Sequence, residues 1–391
     1  MSDVYVVEAL RTPFGSLAGA LADVEAPQLA ATVMKGLLAR SGLAAEAVDE
    51  VIVGQVLAGG CGQAPARQAM RRAGIPDAAH AMTINKVCGS GLKALMLGAG
   101  SLLLGDAGVV IAGGMESMSQ APYALRKARG GYRLGHDRIF DLMILDGLQD
   151  PDSGRLMGEI GDLSALRHGL SRAEQDEYAL RSYLLARKAV QEGLFAGEIV
   201  PVAIPEKAGS RVVEADEEPF KADLERLSLL KPAFGQEGTI TAGNASTIGD
   251  GAALALLTDE AGLKRFNLRP RARIVAAASE SRHPDRFPEA PEGAIRKVCA
   301  KAGLSPDAID LFEINEAFAA VALIAIRTLG LDPDRVNVNG GAIALGHPIG
   351  ASGGRLAATV IRELHRRQAR YGLASLCIGG GEAVAMIFER S

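Results

Sequence analysis

The chain has 391 residues, 48% hydrophobic and 23% charged, which makes it globular and too long for one small core, so two or three packed units are expected. Forty-two Lys plus Arg against 46 Asp plus Glu leave a net charge of −4, which argues against binding nucleic acid through bulk electrostatics. The four Cys, at 61, 88, 299 and 377, have the spacing of neither a disulfide framework nor a zinc site, so a reducing cytoplasm and no metal are expected.

MSDVYVVEAL alternates like a strand and lacks the basic start of a secretory signal. After GLAAEAVDEVIVGQ from Gly42, which reads as a strand and its lead-in, comes NKVCGSG. Cys88 stands there at a turn into an apolar helix predicted over Ser90 to Leu104. A thiol near a helix N-terminus feels the positive end of the dipole and nearby amides, which predicts a lowered pKa and a larger thiolate fraction. A small buried hydrophobe is the other reading of the same residue. Cys61 and Cys299 lack this setting and read as inert. The longest uncharged apolar run, Ala94 to Leu104, falls short of the roughly 18 residues a membrane span needs, so a buried helix and no membrane contact are expected.

From about Ser117 to Gly249 the texture changes. Arg126, Lys127, Arg129, Arg133 and Arg138 form a basic loop, read as a solvated or subunit-contact segment, with a phosphate site as the other possibility. SRAEQDEYALRSYLLARKAVQE, from Ser171 to Glu192, is a long helix with a Ser cap and a Glu three residues later.

The remainder repeats the beginning. GLSPDAIDLFEINE from Gly303 lies over the segment from Gly42, GASGGRLA around Ser352 lies over CGSGLKA around Ser90, and IGGG at Ile378 lies over IAGG at Ile111. The strand after IGGG, Glu382 to Phe388, has its counterpart at Gly251, so about 130 residues look inserted into the first half. Strands alternating with helices predict α/β halves with a largely parallel sheet. In this half Asn315 and Glu316 interrupt an apolar run, where a helix cap would explain them equally well. His347 sits in NGGAIALGHPIGASGGR among six glycines, with Pro348 stiffening the loop, and a cap at the Ser352 helix is its alternative role. Cys377 ends the strand LASLCI, expected to neighbour the strand bearing the Cys88 helix. Two Cys, one His and one Asn at equivalent strand and helix ends of a duplicated fold form a stronger signal together than singly, because ligands of such sheets collect where strands end.

On these segments the chain resembles the thiolase family from end to end. NKVCGSGLKA is similar to its nucleophile segment, GHPIGASGGR to its histidine motif, CIGGG to its second-cysteine motif and NEAFA to its asparagine motif; RTPFGSLAGAL and PAFGQEGTITAGNAS match as well. The resemblance implies a duplicated thiolase-like fold of class α/β, with two similar βα halves, mixed sheets in layers and an inserted loop domain. The implied boundaries are 1–116 with 250–268 for the N-terminal half, 117–249 for the loop domain that grips coenzyme A, and 269–391 for the C-terminal half. Carried over, Cys88 would take the acyl group from an acyl-CoA, His347 would accept its proton, and Cys377 would remove the α-proton of acetyl-CoA. Asn315 would hold a water that forms one oxyanion hole with His347, and the amides of Cys88 and Gly379 would form the other. Ser246 and Ala242 would contact pantetheine, and Leu148, Met157, Ala317 and Phe318 would line the tunnel.

The resemblance further implies coenzyme A thioesters as substrates, no permanently bound cofactor, and a homotetramer built as a dimer of dimers, its basic loop tying the dimers together. The implied reaction is condensation of two acetyl-CoA to acetoacetyl-CoA with its reverse. A 3-ketoacyl-CoA thiolase of fatty-acid degradation is the alternative, because Leu156 stands before Met157-Gly158 where acetoacetyl-CoA enzymes carry His. EIGDLSA and Glu382 are further departures. A β-ketoacyl-carrier-protein synthase would have a second His where this chain has Asn315, and a non-catalytic CoA or lipid carrier would have lost the acid/base set.

Overall fold

The computed structural model describes residues 3–207 and 209–391. The N-terminal half runs β1 (Val4–Arg11), β2 (Gly15–Ser16), α1 (Ala26–Ser41), β3 (Glu50–Gly54), α2 (Pro65–Arg72), β4 (His80–Ile84), α3 (Ser90–Leu104) and β5 (Val109–Ser117). The chain then leaves the sheet through β6 (Tyr123–Ala124), β7 (Phe140–Asp141), α4 (Met157–Arg167), α5 (Arg172–Gln191), β8 (Val202–Glu206) and β9 (Gly209–Val213), and returns with β10 (Gly249–Asp259) and α6 (Glu260–Arg265). β11 (Ala272–Ser281), α7 (Ala290–Ala302), β12 (Leu311–Ile314), α8 (Ala319–Leu329), α9 (Ala342–Leu345), α10 (Ser352–Arg367), β13 (Tyr371–Ile378) and β14 (Glu382–Arg390) build the C-terminal half.

The repeat read from the sequence maps strand onto strand. In the first half β3 is parallel to β4 and β5, while β10 runs antiparallel to β5 and to β1. The second half repeats this with β12 parallel to β13, then β14 antiparallel to β13 and to β11. Each sheet is therefore mixed, and the expectation of a largely parallel sheet fails. IGGG runs straight into β14, and β10 returns beside β5, so each half closes on an antiparallel pair. The halves join at the pairs Tyr5 with Arg273 and Val6 with Ala272, which makes one continuous sheet path.

Between the halves lie α3 and α10. Leu92 and Leu95 share one apolar cluster with Leu356 and Val360, with Val110 and Leu257 of the first half, and with Leu376 and Met386 of the second. Glycine permits this approach: a Cβ on Gly353 would lie 2.2 Å from the Leu92 amide, and one on Gly354 2.1 Å from the Ala253 carbonyl. The apolar stretch Val87–Leu104, with mean hydropathy 1.5 over 18 residues, is long and apolar enough to cross a membrane, and half of it is buried in the protein. It exceeds the shorter run noted in the sequence because it tolerates Lys93.

A buried charge cluster ties the excursion back to the first strand. Arg11, with no exposed surface, donates through Nε to Glu198 at 2.6 Å and through Nη1 and Nη2 to Asp216 at 2.6 and 2.9 Å. The rings of Phe14 and Phe195 lie against its guanidinium.

Candidate active site

The segment before α3 is a strained presentation loop. Val87, β-branched, sits at φ +45°, in the left-handed region that such residues avoid. Three hydrogen bonds hold it there: the Val87 amide donates to Asn85 Oδ1 at 2.8 Å, the Lys86 amide to Ser90 Oγ at 2.8 Å, and Ser90 Oγ to the Val87 carbonyl at 2.6 Å. Strain held by surrounding structure is characteristic of functional sites. Lys86 also pairs with Glu382 at the start of β14, so the departure at Glu382 anchors this loop.

Cys88 comes next. Its sulfur meets its own amide and the amide of Gly379, which lies just past β13. Burial nevertheless outweighs these donors and pushes the thiol up to about 11, with the Glu116 carboxylate adding to the rise. The resting residue is thus a thiol, and the lowered pKa expected from the helix dipole is not found. Cys377 is fully buried at the end of β13, and burial together with Cys88 pushes its thiol well above the ordinary value. Its strand pairs with β12 and β14, so the two cysteines meet across the junction of the halves and not along neighbouring strands as the sequence suggested.

His347 faces the same place. Its Nδ1 lies 2.6 Å from Ser352 Oγ, and that hydroxyl donates its own proton to the Pro348 carbonyl at 2.9 Å. With that hydroxyl proton on Pro348, Nδ1 carries the ring proton and the Nε2 lone pair faces Asn315 Nδ2 at 3.3 Å. Burial, with the Arg355 cation adding to it, lowers His347 to about 3, so the ring is neutral and able to act as a base. The imidazole bonds a side chain of the first turn of α10 and does not cap that helix.

Asn315 follows β12, its amide donating to the Ser375 carbonyl at 2.9 Å, and its Oδ1 is buried with no protein partner. It is not a cap either, since α8 begins four residues later after Phe318. Glu316 is spent on structure, accepting from Tyr178 Oη, Ser182 Oγ, Asn337 Nδ2 and the Ile343 amide.

An apolar pocket of about 230 Å³ opens beside His347, lined by Leu148, Leu156, Met157, Phe234, Ser246, Phe318 and Ile349 among others. Of the positions expected to meet coenzyme A, Leu148, Met157, Ser246 and Phe318 line it. Ala317 instead accepts the Ser246 amide at 3.0 Å through its carbonyl, and Ala242 is an exposed turn residue outside the lining. EIGDLSA forms most of α4, where Asp162 Oδ1 accepts from the Thr239 and Ile240 amides at 2.7 and 3.0 Å. Sequence reasoning missed Phe234, Ile349 and the role of Ser352; the serine five residues after His347 was the available signal. Among the described residues, no group of three or more His, Cys, Asp or Glu could hold a metal ion.

A duplicated α/β fold in which a neutral histidine lines an apolar pocket, and one cysteine from each half packs against the residues of its wall, defines the thiolase class. Family models for the thiolase N-terminal domain and C-terminal domain match residues 4–261 and 268–390, and the chain belongs to the thiolase family. It is 50% identical to an acetyl-CoA acetyltransferase of Pseudomonas aeruginosa and 48% identical to one of Cupriavidus necator, each over 100% of both chains. The crystal structure of the Bacillus anthracis acetyl-CoA acetyltransferase superposes with a TM-score of 0.98 at 42% identity, covering 100% of this chain and 99% of that one.

Proposed function

We propose that this thiolase is an acyltransferase that condenses two acetyl-CoA to acetoacetyl-CoA and CoA, and runs the reverse thiolysis, through an acyl group carried on Cys88. The observation that carries this reading is that neutral His347 lines one apolar pocket while Cys88 packs against its wall residues Met118 and Ile349, and Cys377 against Phe318. Full-length relatives at 45–50% identity named acetyl-CoA acetyltransferase support the substrate.

In the first step the Cys88 sulfur attacks the thioester carbon, its proton passes to His347 Nε2, and CoA leaves with that proton. In the second, Cys377 would give its own proton to His347 and, as thiolate, take the α-proton of the second acetyl-CoA. The carbanion bonds to the acyl carbon, the bond to Cys88 breaks, and the Cys88 sulfur takes the proton back from His347, which leaves both cysteines as thiols. A thiol held well above the ordinary value is a strong base once deprotonated, which suits so weak an acid as the α-carbon. The amides of Cys88 and Gly379 would stabilise one oxyanion, and a water held by Asn315, with His347 Nε2 while it carries the transferred proton, the other. Ser246, Leu148, Met157 and Phe318 would contact the pantetheine arm, with Ala317 holding the Ser246 turn and Ala242 at its rim. Residues 117–249 would act as the loop domain, and coenzyme A thioesters would enter as substrates with no resident cofactor.

We further propose a cytoplasmic homotetramer, a dimer of dimers serving fatty-acid metabolism. The exposed apolar residues Tyr123, Leu134 and Ile139 within the basic loop support an oligomer contact there.

The test compares thiolysis of acetoacetyl-CoA with that of a medium-chain 3-ketoacyl-CoA on the purified protein. Preference for acetoacetyl-CoA is expected; preference for the longer substrate would overturn the short-chain reading. Cys88→Ala is expected to lose acylation by acetyl-CoA, whereas Cys377→Ala should be acylated and fail in condensation. Equal acylation of both would refute the assignment.

A further inference from the structure

Glu116 is a fully buried carboxylate that the reaction above does not use. It lies on β5, one residue before the excursion begins. Its Oε2 accepts from the Val56 amide at 3.0 Å and the Gly350 amide at 2.9 Å, and its Oε1 accepts from the Leu57 amide at 3.1 Å. Val56 and Leu57 follow β3 of the N-terminal half, whereas Gly350 belongs to the His347 loop of the C-terminal half. One carboxylate therefore fastens together two loops from opposite halves.

Both loops bound the nucleophile. Val56, Leu57, Met118 and Ile349 form one buried cluster, and Cys88 packs against it. The fit at Gly350 is tight, since a Cβ there would lie 2.7 Å from Glu116 Oε2 and 2.6 Å from the Met115 carbonyl. No basic side chain forms an ion pair with Glu116 among the described residues. The titratable groups that feel it are Asp250 on neighbouring β10, Cys88, and Cys61 beyond β3. A buried carboxylate without a cation is costly and is retained where its geometry is needed. An amide side chain could not replace it, because a glutamine has one acceptor oxygen and would turn its NH₂ toward a backbone N–H.

We propose that Glu116 is a positioning residue that clamps the His347 loop onto the wall carrying Cys88, with its charge facing the thiol. This rests on the reading of Cys88 as nucleophile and His347 as its base. The clamp sets the distance between them. The charge disfavours a thiolate while His347 waits for the proton, so the proton moves during attack on substrate and not before. Burial, reinforced by Asp250, pushes Glu116 itself up to about 7 against the pull of its three amide donors.

The experiment uses the whole protein with Glu116→Gln and Glu116→Asp. It measures kcat and KM for CoA in thiolysis, and the pH profile of Cys88 alkylation by iodoacetamide read by peptide mass. Glu116→Gln is expected to lower kcat about 10- to 100-fold through misplacement, with KM for CoA nearly unchanged. Its alkylation midpoint should fall by about 1 pH unit, as removal of a nearby like charge implies. A merely structural role would not make the thiol more acidic while making the enzyme slower. Glu116→Asp keeps the charge but cannot span the three amides, so it should lose kcat with the wild-type alkylation midpoint.

The proposal is overturned if the Glu116→Gln midpoint equals the wild-type one, if either variant keeps wild-type kcat, or if KM rises in step with the fall in kcat. Should Glu116→Gln not fold, Glu116→Asp decides alone by the same kcat and KM criteria. Cys88→Ala is the control: if it still forms an acyl-enzyme, the nucleophile assignment fails, whatever the Glu116 variants do.

Discussion

Ser352→Ala offers a direct test of how the fold prepares its base. With the Ser352 hydroxyl donating to the Pro348 carbonyl, it accepts from His347 Nδ1, which leaves the Nε2 lone pair toward Asn315. Removing the hydroxyl leaves a buried N–H without a partner, at a cost of about 1–3 kcal/mol. The ring can escape that cost by moving its proton to Nε2, where it would meet the N–H of Asn315 and could no longer act as a base. If the whole cost falls on the productive tautomer, acylation should slow by roughly 5- to 150-fold, at about 1.4 kcal/mol per factor of ten. Single-turnover acylation by acetyl-CoA, followed by intact mass, measures the rate, and ¹⁵N shifts of the labelled imidazole report the tautomer. Ser352→Thr keeps the hydroxyl and should restore most of the rate. An alanine variant with near wild-type acylation, or one that is slow with an unchanged tautomer, would refute the reasoning.

Other outcomes follow from the buried charges and from the packing. Arg355 and Glu313 form a pair at 2.5 Å with almost no exposure, so Glu313→Leu should destabilise by about 3–5 kcal/mol, and adding Arg355→Leu should recover most of that in urea unfolding. His347 is held at about 3, below the ordinary 6.5, so as pH falls through 6.5 the unfolded chain takes up the proton first. Stability from this group should fall by about 1.4 kcal/mol per pH unit from 6.5 toward 3, and His347→Asn should flatten that slope in denaturant titrations at pH 6, 5 and 4. Gly354→Ala drives a methyl to 2.1 Å from the Ala253 carbonyl, so a loss of about 3 kcal/mol is expected; a melting temperature equal to wild type would contradict the close contact of the halves.

What the sequence made legible depended on how local the signal was. The Ser90 to Leu104 helix and the Ser171 cap with Glu174 rest on short-range pattern, the correspondence of β5 with β13 and of β10 with β14 rests on the repeat, and these elements form as read. The protonation of Cys88 was misread because the dipole argument sees only the residue's own helix, whereas the dominant influence is burial by segments far away in sequence. Strand direction failed for a related reason: alternation of strands and helices does not reveal that β10 and β14 return antiparallel. Asn315 and Glu316 looked like one cap signal, yet their side chains point into different networks. Glu116 was invisible beforehand, since nothing in GGMES marks a carboxylate whose partners lie 60 and 234 residues away.

The contact of α3 with α10 has an electrical consequence. Their first turns touch, with Gly91 against the Gly354 amide and Gly353 against the Leu92 amide, so two helices present their positive ends to one small volume. Like poles brought together repel, and the packed sheets on either side hold them there. The buried Glu116 carboxylate, which accepts from the Gly350 amide just before α10, supplies a negative charge beside these ends and relieves that repulsion. Because this field comes from peptide bonds, no single side-chain replacement removes it and salt reaches it poorly.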